Sequence, residues 1–106
     1  MNKRERVGFC GVDAGLIWIG DPCYILHKYK NAEKDYDKPP KSIGDDWPDF
    51  CGKFEGPVTK FDFDLGHEGL GICISDFGGD GCYPVYITRN EKGRVVKAEI
   101  VFDDEV

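Results

Sequence analysis

The residues best suited to chemistry lie in Gly78-Gly79-Asp80-Gly81-Cys82-Tyr83-Pro84-Val85-Tyr86, where a glycine-rich turn runs into an aromatic strand. Consecutive backbone N–H groups in such a turn can form a concave anion-binding nest, and the missing side chains let a ligand come close. Tyr83 and Tyr86, with Trp18 or Trp47, offer faces for stacking on a base, and Asp76 or Asp80 offers an acceptor for a ribose hydroxyl. Arg89 and Arg94, one strand away, are guanidinium partners for a phosphate. The same residues also make an ordinary tight turn.

Other chemistry finds weaker support. Asp62 and Asp64 project from one strand face and are followed by His67 and Glu68, the atoms a divalent metal takes, but their spacing matches no strong metal motif. A solvated strand face with a polar turn accounts for them equally well. Nucleophilic catalysis needs a thiol or hydroxyl beside a base, and no local context activates any of the 5 cysteines through either of the 2 histidines. Phosphate-loop, nucleophile-elbow and dinucleotide fingerprints are lacking. No catalytic residue, metal site or cofactor is assigned.

Composition narrows the class. A chain of 106 residues with 41% hydrophobic and 13% aromatic content predicts a single domain, 1–106, with one core and function on a surface, rim or subunit interface. With 20 acidic against 14 basic residues the formal charge is −6, which disfavours a nucleic-acid duplex or an anionic membrane as partner. No apolar run reaches the roughly 18 residues of a membrane span and no signal-type block follows Met1, so the expected location is the cytoplasm. The odd number of widely spaced cysteines, Cys10, Cys23, Cys51, Cys73 and Cys82, then reads as free thiols.

The elements that must position these residues are mostly strands. Residues 7–12 and 16–20 are short, β-branched and aromatic runs bounded by Gly and Asp. Asp21-Pro22 interrupts the ladder, which residues 23–27 are expected to resume. A polar, proline-containing loop follows over 28–45, a candidate lid. Trp47, Phe50, Cys51 and Phe54 fall at helical spacing, with Asp46 as cap and Pro48 in the first turn, which predicts a short helix laying Trp47 on a sheet. Residues 58–65 alternate as a strand, 66–69 turn, and 70–76 form a strand with small residues on one face. A hairpin closes the chain, its turn in Asn90-Glu91-Lys92-Gly93 and Arg89 opposite Arg94, so that Ile87 faces Val96 and Val85 faces Ala98. Pro84 marks an edge or a bulge. The expected fold is all-β, or β-rich with one short helix: a small antiparallel sandwich or barrel ending in a β-hairpin.

Two segments, residues 12–24 with Asp21-Pro22-Cys23-Tyr24 and residues 78–86, together with Gly93-Arg94-Val95 and Ile100-Val101-Phe102-Asp103, resemble a family of small proteins of unassigned function found in bacteriophages and bacteria. The shared pattern is an early Asp-Pro-Cys-Tyr and a late Gly-Asp-Gly-x-Tyr-Pro-Val-Tyr, and it leaves 28–58 unmatched. The resemblance implies a phage-type anti-defence role, in which a non-catalytic protein binds and sequesters a nucleotide-derived immune signal in the host cytoplasm. The expected ligand residues are Trp18, Asp21, Tyr24, Asp76, Gly79, Asp80, Gly81, Tyr83, Tyr86 and Arg89, with a homo-oligomer enclosing one small nucleotide-like ligand. The alternatives are a protein-interaction inhibitor of a host enzyme or toxin, and a metal-dependent nucleotide hydrolase using Asp62, Asp64 and His67.

Overall fold

The computed structural model describes residues 2–25 and 41–103, so that 28–40 of the expected loop lie outside the described residues. In chain order it contains strand β1 (Lys3–Val12), strand β2 (Ile17–Gly20), a 3-10 turn at Pro22–Tyr24, a second at Lys41–Ile43, helix α1 (Trp47–Gly52), and strands β3 (Val58–Phe61), β4 (Gly71–Ile74), β5 (Gly81–Arg89) and β6 (Val95–Ile100). The protein is β-rich, and among the described residues its strands form two antiparallel sheets of order β1-β5-β6 and β2-β4-β3. Each sheet keeps two edge strands, so neither closes into a barrel. No described helix is long and apolar enough to cross a membrane. The chain divides into two compact units, one of Met1–Gly15 with Asp76–Val106 and the other Leu16–Ser75.

In the unit formed by both chain ends, β5 is the central strand. Cys82, Tyr83 and Pro84 sit opposite Gly11, Cys10 and Phe9 on β1, and Val7 is extruded as a bulge between Arg6 and Gly8. The closing hairpin forms with the expected parity but two residues away from the expected register: Val85 faces Ile100, Ile87 faces Ala98, and Arg89 pairs with Val95. The cause is local. Asn90 accepts from the N–H groups of Lys92 and Arg94 through its side chain, Gly93 turns at φ +84°, and a bulge at Val96 takes up the difference. Pro84 thus lies in a central strand rather than at an edge. Its carbonyl accepts from Val101 N, so its missing N–H faces the side where β6 has already ended.

The unit Leu16–Ser75 is organised by a ring lying over a glycine. Trp18, Gly20, Thr59, Phe61, Gly71 and Cys73 share one face of the sheet by register. A Cβ on Gly71 would come within 2.1 Å of the Trp18 ring, so the small-residue face of β4 exists to admit that indole. Phe61 packs against it at 5.4 Å and Phe50 stacks on Phe61 at 5.1 Å and 16°. Phe61, Leu70 and Cys73 are the buried centre, with Phe54, Phe63 and Tyr24 around them.

The helix forms where its spacing places it. Asp46 Oδ1 accepts from Asp49 N at 2.9 Å and Pro48 stands in the first turn, where no N–H is needed. Yet the ring it lays on the sheet is Phe50, while Trp47 remains 58% exposed. Of the expected strand 23–27, residues 23–25 do not resume the ladder, since Asp21 Oδ1 accepts from Cys23 N at 3.0 Å and Pro22 begins a 3-10 turn, and residues 26 and 27 lie outside the described residues. The strand expected over 58–65 ends at Phe61, because Phe63 N donates to His67 O and Gly66 N to Phe63 O, closing a turn instead.

Replacing Gly71 with Ala forces the Trp18 ring off the sheet and should cost about 1–3 kcal/mol of stability. Both tryptophans lie in this unit, so urea unfolding followed by tryptophan fluorescence reads the loss directly. An unchanged midpoint would show that the ring yields without cost.

Candidate ligand site

The expected ligand residues divide between the two units. In Met1–Gly15 with Asp76–Val106, the glycine turn brings Asp76, Gly79, Asp80, Gly81 and Tyr83 together. Gly78, Gly79 and Gly81 all take positive φ, at 115°, 87° and 156°, and Asp76 joins them at 61°. Tyr83 is drawn inward: its hydroxyl donates to Gly79 O at 2.8 Å, and its ring meets Phe77 at 5.3 Å and Phe102 at 5.4 Å. Phe77 and Phe102 stack on each other at 4.3 Å. The tyrosine therefore pins the turn rather than offering a free stacking face.

The other two residues of that set stand elsewhere on β5. Tyr86 has the opposite parity to Tyr83, and the Arg4 guanidinium covers its ring at 3.7 Å while donating to Glu99 at 3.0 Å. Arg89 lies at the far end of the strand, roughly 25 Å from the turn at about 3.3 Å per residue. Its Nε donates to Glu5 at 2.8 Å and its Nη1 to Gly93 O at 3.0 Å. The structure does not gather turn, Tyr86 and Arg89 around one ligand.

In Leu16–Ser75, Trp18 is the expected residue that reaches an open site. It lines a cavity of about 400 Å³ with Ile25, Ile43, Gly44, Asp45, Asp46, Trp47 and Phe50. That volume falls in the range of small-molecule sites, and the lining is the usual mixture of apolar and aromatic groups with a few polar ones. Trp47 and Phe50 lie 5.7 Å apart and tilted by 30°, while Trp18 and Phe50 lie 5.9 Å apart, so three rings wall the space. Gly44, at φ +97°, turns the chain sharply into α1; a Cβ there would meet Asp49 Cβ at 2.7 Å. Tyr24 packs edge-on against Phe63 at 5.4 Å, and Asp21 is occupied in capping its turn.

A family model described as a protein of unknown function (DUF4241) matches residues 1–100. The chain belongs to that family. The match runs through both units, so it takes in α1 and the ring-walled cavity. No curated protein and no solved structure matches the chain.

The remaining polar groups of this DUF4241 member are engaged locally. Asp64 Oδ1 accepts from Ser42 N at 3.0 Å, the His67 carbonyl serves the turn at Phe63, and Asp62 Oδ1 is buried without a partner among the described residues. No group of three His, Cys, Asp or Glu side chains among the described residues is placed to hold a metal. The Lys60 ammonium holds the Glu68 carboxyl below its ordinary range, and Arg4 does the same for Glu99. Sequence reasoning missed Phe50, Ile25, Ile43, Asp45 and Asp46 as cavity residues. The aromatic stripe at helical spacing was the signal for Phe50, whose reading placed it in the core, while no local pattern marks Ile25, Ile43, Asp45 or Asp46 as cavity residues.

Cys23 is exposed, and the hydrogen bond to Asp21 raises its thiol above the ordinary value, with the Asp21 charge adding to the effect. Less thiolate at neutral pH means slower alkylation. Asp21→Asn keeps a capping oxygen and removes the charge, so labelling of Cys23 by iodoacetamide, followed by peptide mass spectrometry, should speed up relative to the parent. Equal rates would show that Asp21 does not control the thiol.

Proposed function

We propose that this protein is a non-catalytic binder that seats a small planar ring in the cavity of Leu16–Ser75. The observation that carries the reading is the three-ring wall of Trp18, Trp47 and Phe50 around about 400 Å³, with Trp47 left 58% exposed beside it. An indole exposed next to an aromatic cavity is apolar surface that a stacked ring would cover, and base-on-aromatic stacking contributes about 1–3 kcal/mol per base.

The biological proposal attached to this seat is sequestration of a nucleotide-derived immune signal by a phage-type protein in the host cytoplasm, which lowers host antiviral defence. The base of such a signal has the size and planarity the three rings accept. A second reading, inhibition of a host protein, draws support from the other face of the same sheet, where Ile19 is 54% and Val58 56% exposed beside Ile72.

The test is mass spectrometry of small molecules released by heating protein that was exposed to nucleotide-rich lysate and repurified. The parent and Asp80→Ala should release the same ring-bearing molecule, and Trp47→Ala should release at least about tenfold less, a loss of about 1.4 kcal/mol. Loss with Asp80→Ala and not with Trp47→Ala would move the seat to the glycine turn. Release of nothing, with a protein co-purifying instead, would favour the second reading.

A further inference from the structure

The ring walls and the charges at the mouth of the cavity select for one sign of ligand. Three aromatic rings line the space, and the face of an aromatic ring carries the negative side of its quadrupole. Asp45 and Asp46 lie in the same lining, and no lysine or arginine is among the described residues that form it. The carboxylate of Asp46 accepts from Asp49 N in the first turn of α1, and that of Asp49 from Asp45 N just before the helix. The Asp45 carboxylate has no hydrogen-bond or ion-pair partner among the described residues. The whole chain adds a formal charge of −6.

We infer that the group seated in the cavity is an organic cation, a planar ring or alkylated nitrogen whose positive charge is spread and weakly hydrated. The inference rests on the ring-binding reading above and specifies the chemistry of its ligand. A neutral ring gains stacking and apolar burial alone. A cation of the same shape gains these together with attraction to the ring faces it meets and to the Asp45 carboxylate. An anionic group meets the opposite on every count, so any phosphate carried by the ligand projects outward from the mouth.

A pair of probes that share one ring and differ by a charged N-methyl group tests the sign: 1-methylnicotinamide, a cationic ring, and nicotinamide, its neutral counterpart, each titrated into the full chain by calorimetry. The expected result is binding of the cation at least about tenfold tighter than the neutral ring. That advantage should shrink in Asp45→Asn and at high salt. Asp45→Asn leaves the side-chain cap of α1 intact, and circular dichroism of the variant confirms the fold. Equal affinity for the two probes, or an advantage indifferent to Asp45, would overturn the cation inference and leave the ring-binding reading standing. Failure of both probes to bind at roughly 10 mM would overturn the two together.

Discussion

The space above Gly71 is the constraint on which the unit Leu16–Ser75 depends. With no side chain at that position, the Trp18 indole lies down on β4, and everything placed on the sheet afterwards takes its position from that ring. Phe61 meets the indole from the neighbouring strand, Phe50 stacks on Phe61, and α1 is held over the sheet by that stack. Each aromatic side chain buries on the order of 150–250 Å², so a few rings supply most of the driving force in so small a unit. One donor is left over: Trp18 Nε1 is buried and has no acceptor among the described residues, a cost of about 1–3 kcal/mol that the ring contacts must offset.

The same stack explains why an opening remains. Phe50 is committed to the sheet, and helical geometry then turns Trp47, three positions earlier and one turn back, towards the edge of the core. Asp46 and Asp49 hold the start of the helix with their side chains, and the left-handed Gly44 brings the chain into it. The rings therefore line a space instead of filling it.

Much of this was legible in residue types. The helix at Trp47, its aspartate cap, the strands around Ile17, Val58 and Gly71, and the parity of the final hairpin all follow from local periodicity and turn chemistry. What was not legible depends on which partner a residue finds. Tyr83 and Arg89 have the atoms for ligand binding, but one hydroxyl is taken by Gly79 O and one guanidinium by Glu5, and no local pattern announces either bond. The hairpin register slipped by two residues, one at the turn and one at the bulge, and a slip of two leaves unchanged the parity by which sequence judges register. Trp47 and Phe50 share a stripe, and a stripe does not say which of its rings meets the sheet and which is left at the edge.

Chain order gives the two-unit arrangement a kinetic side. The unit Leu16–Ser75 is continuous and is bounded by β1 on one side and β5 on the other, and those two strands pair directly, Val12 with Gly81. Its own contacts are comparatively local, whereas the β1–β5 ladder must join chain ends: the Glu5–Arg89 bond spans 84 positions. Closing so long a loop is entropically costly before any contact compensates, and the cost falls once the intervening residues are compact. The order of assembly that this cost favours is the inner unit first and the terminal sheet last.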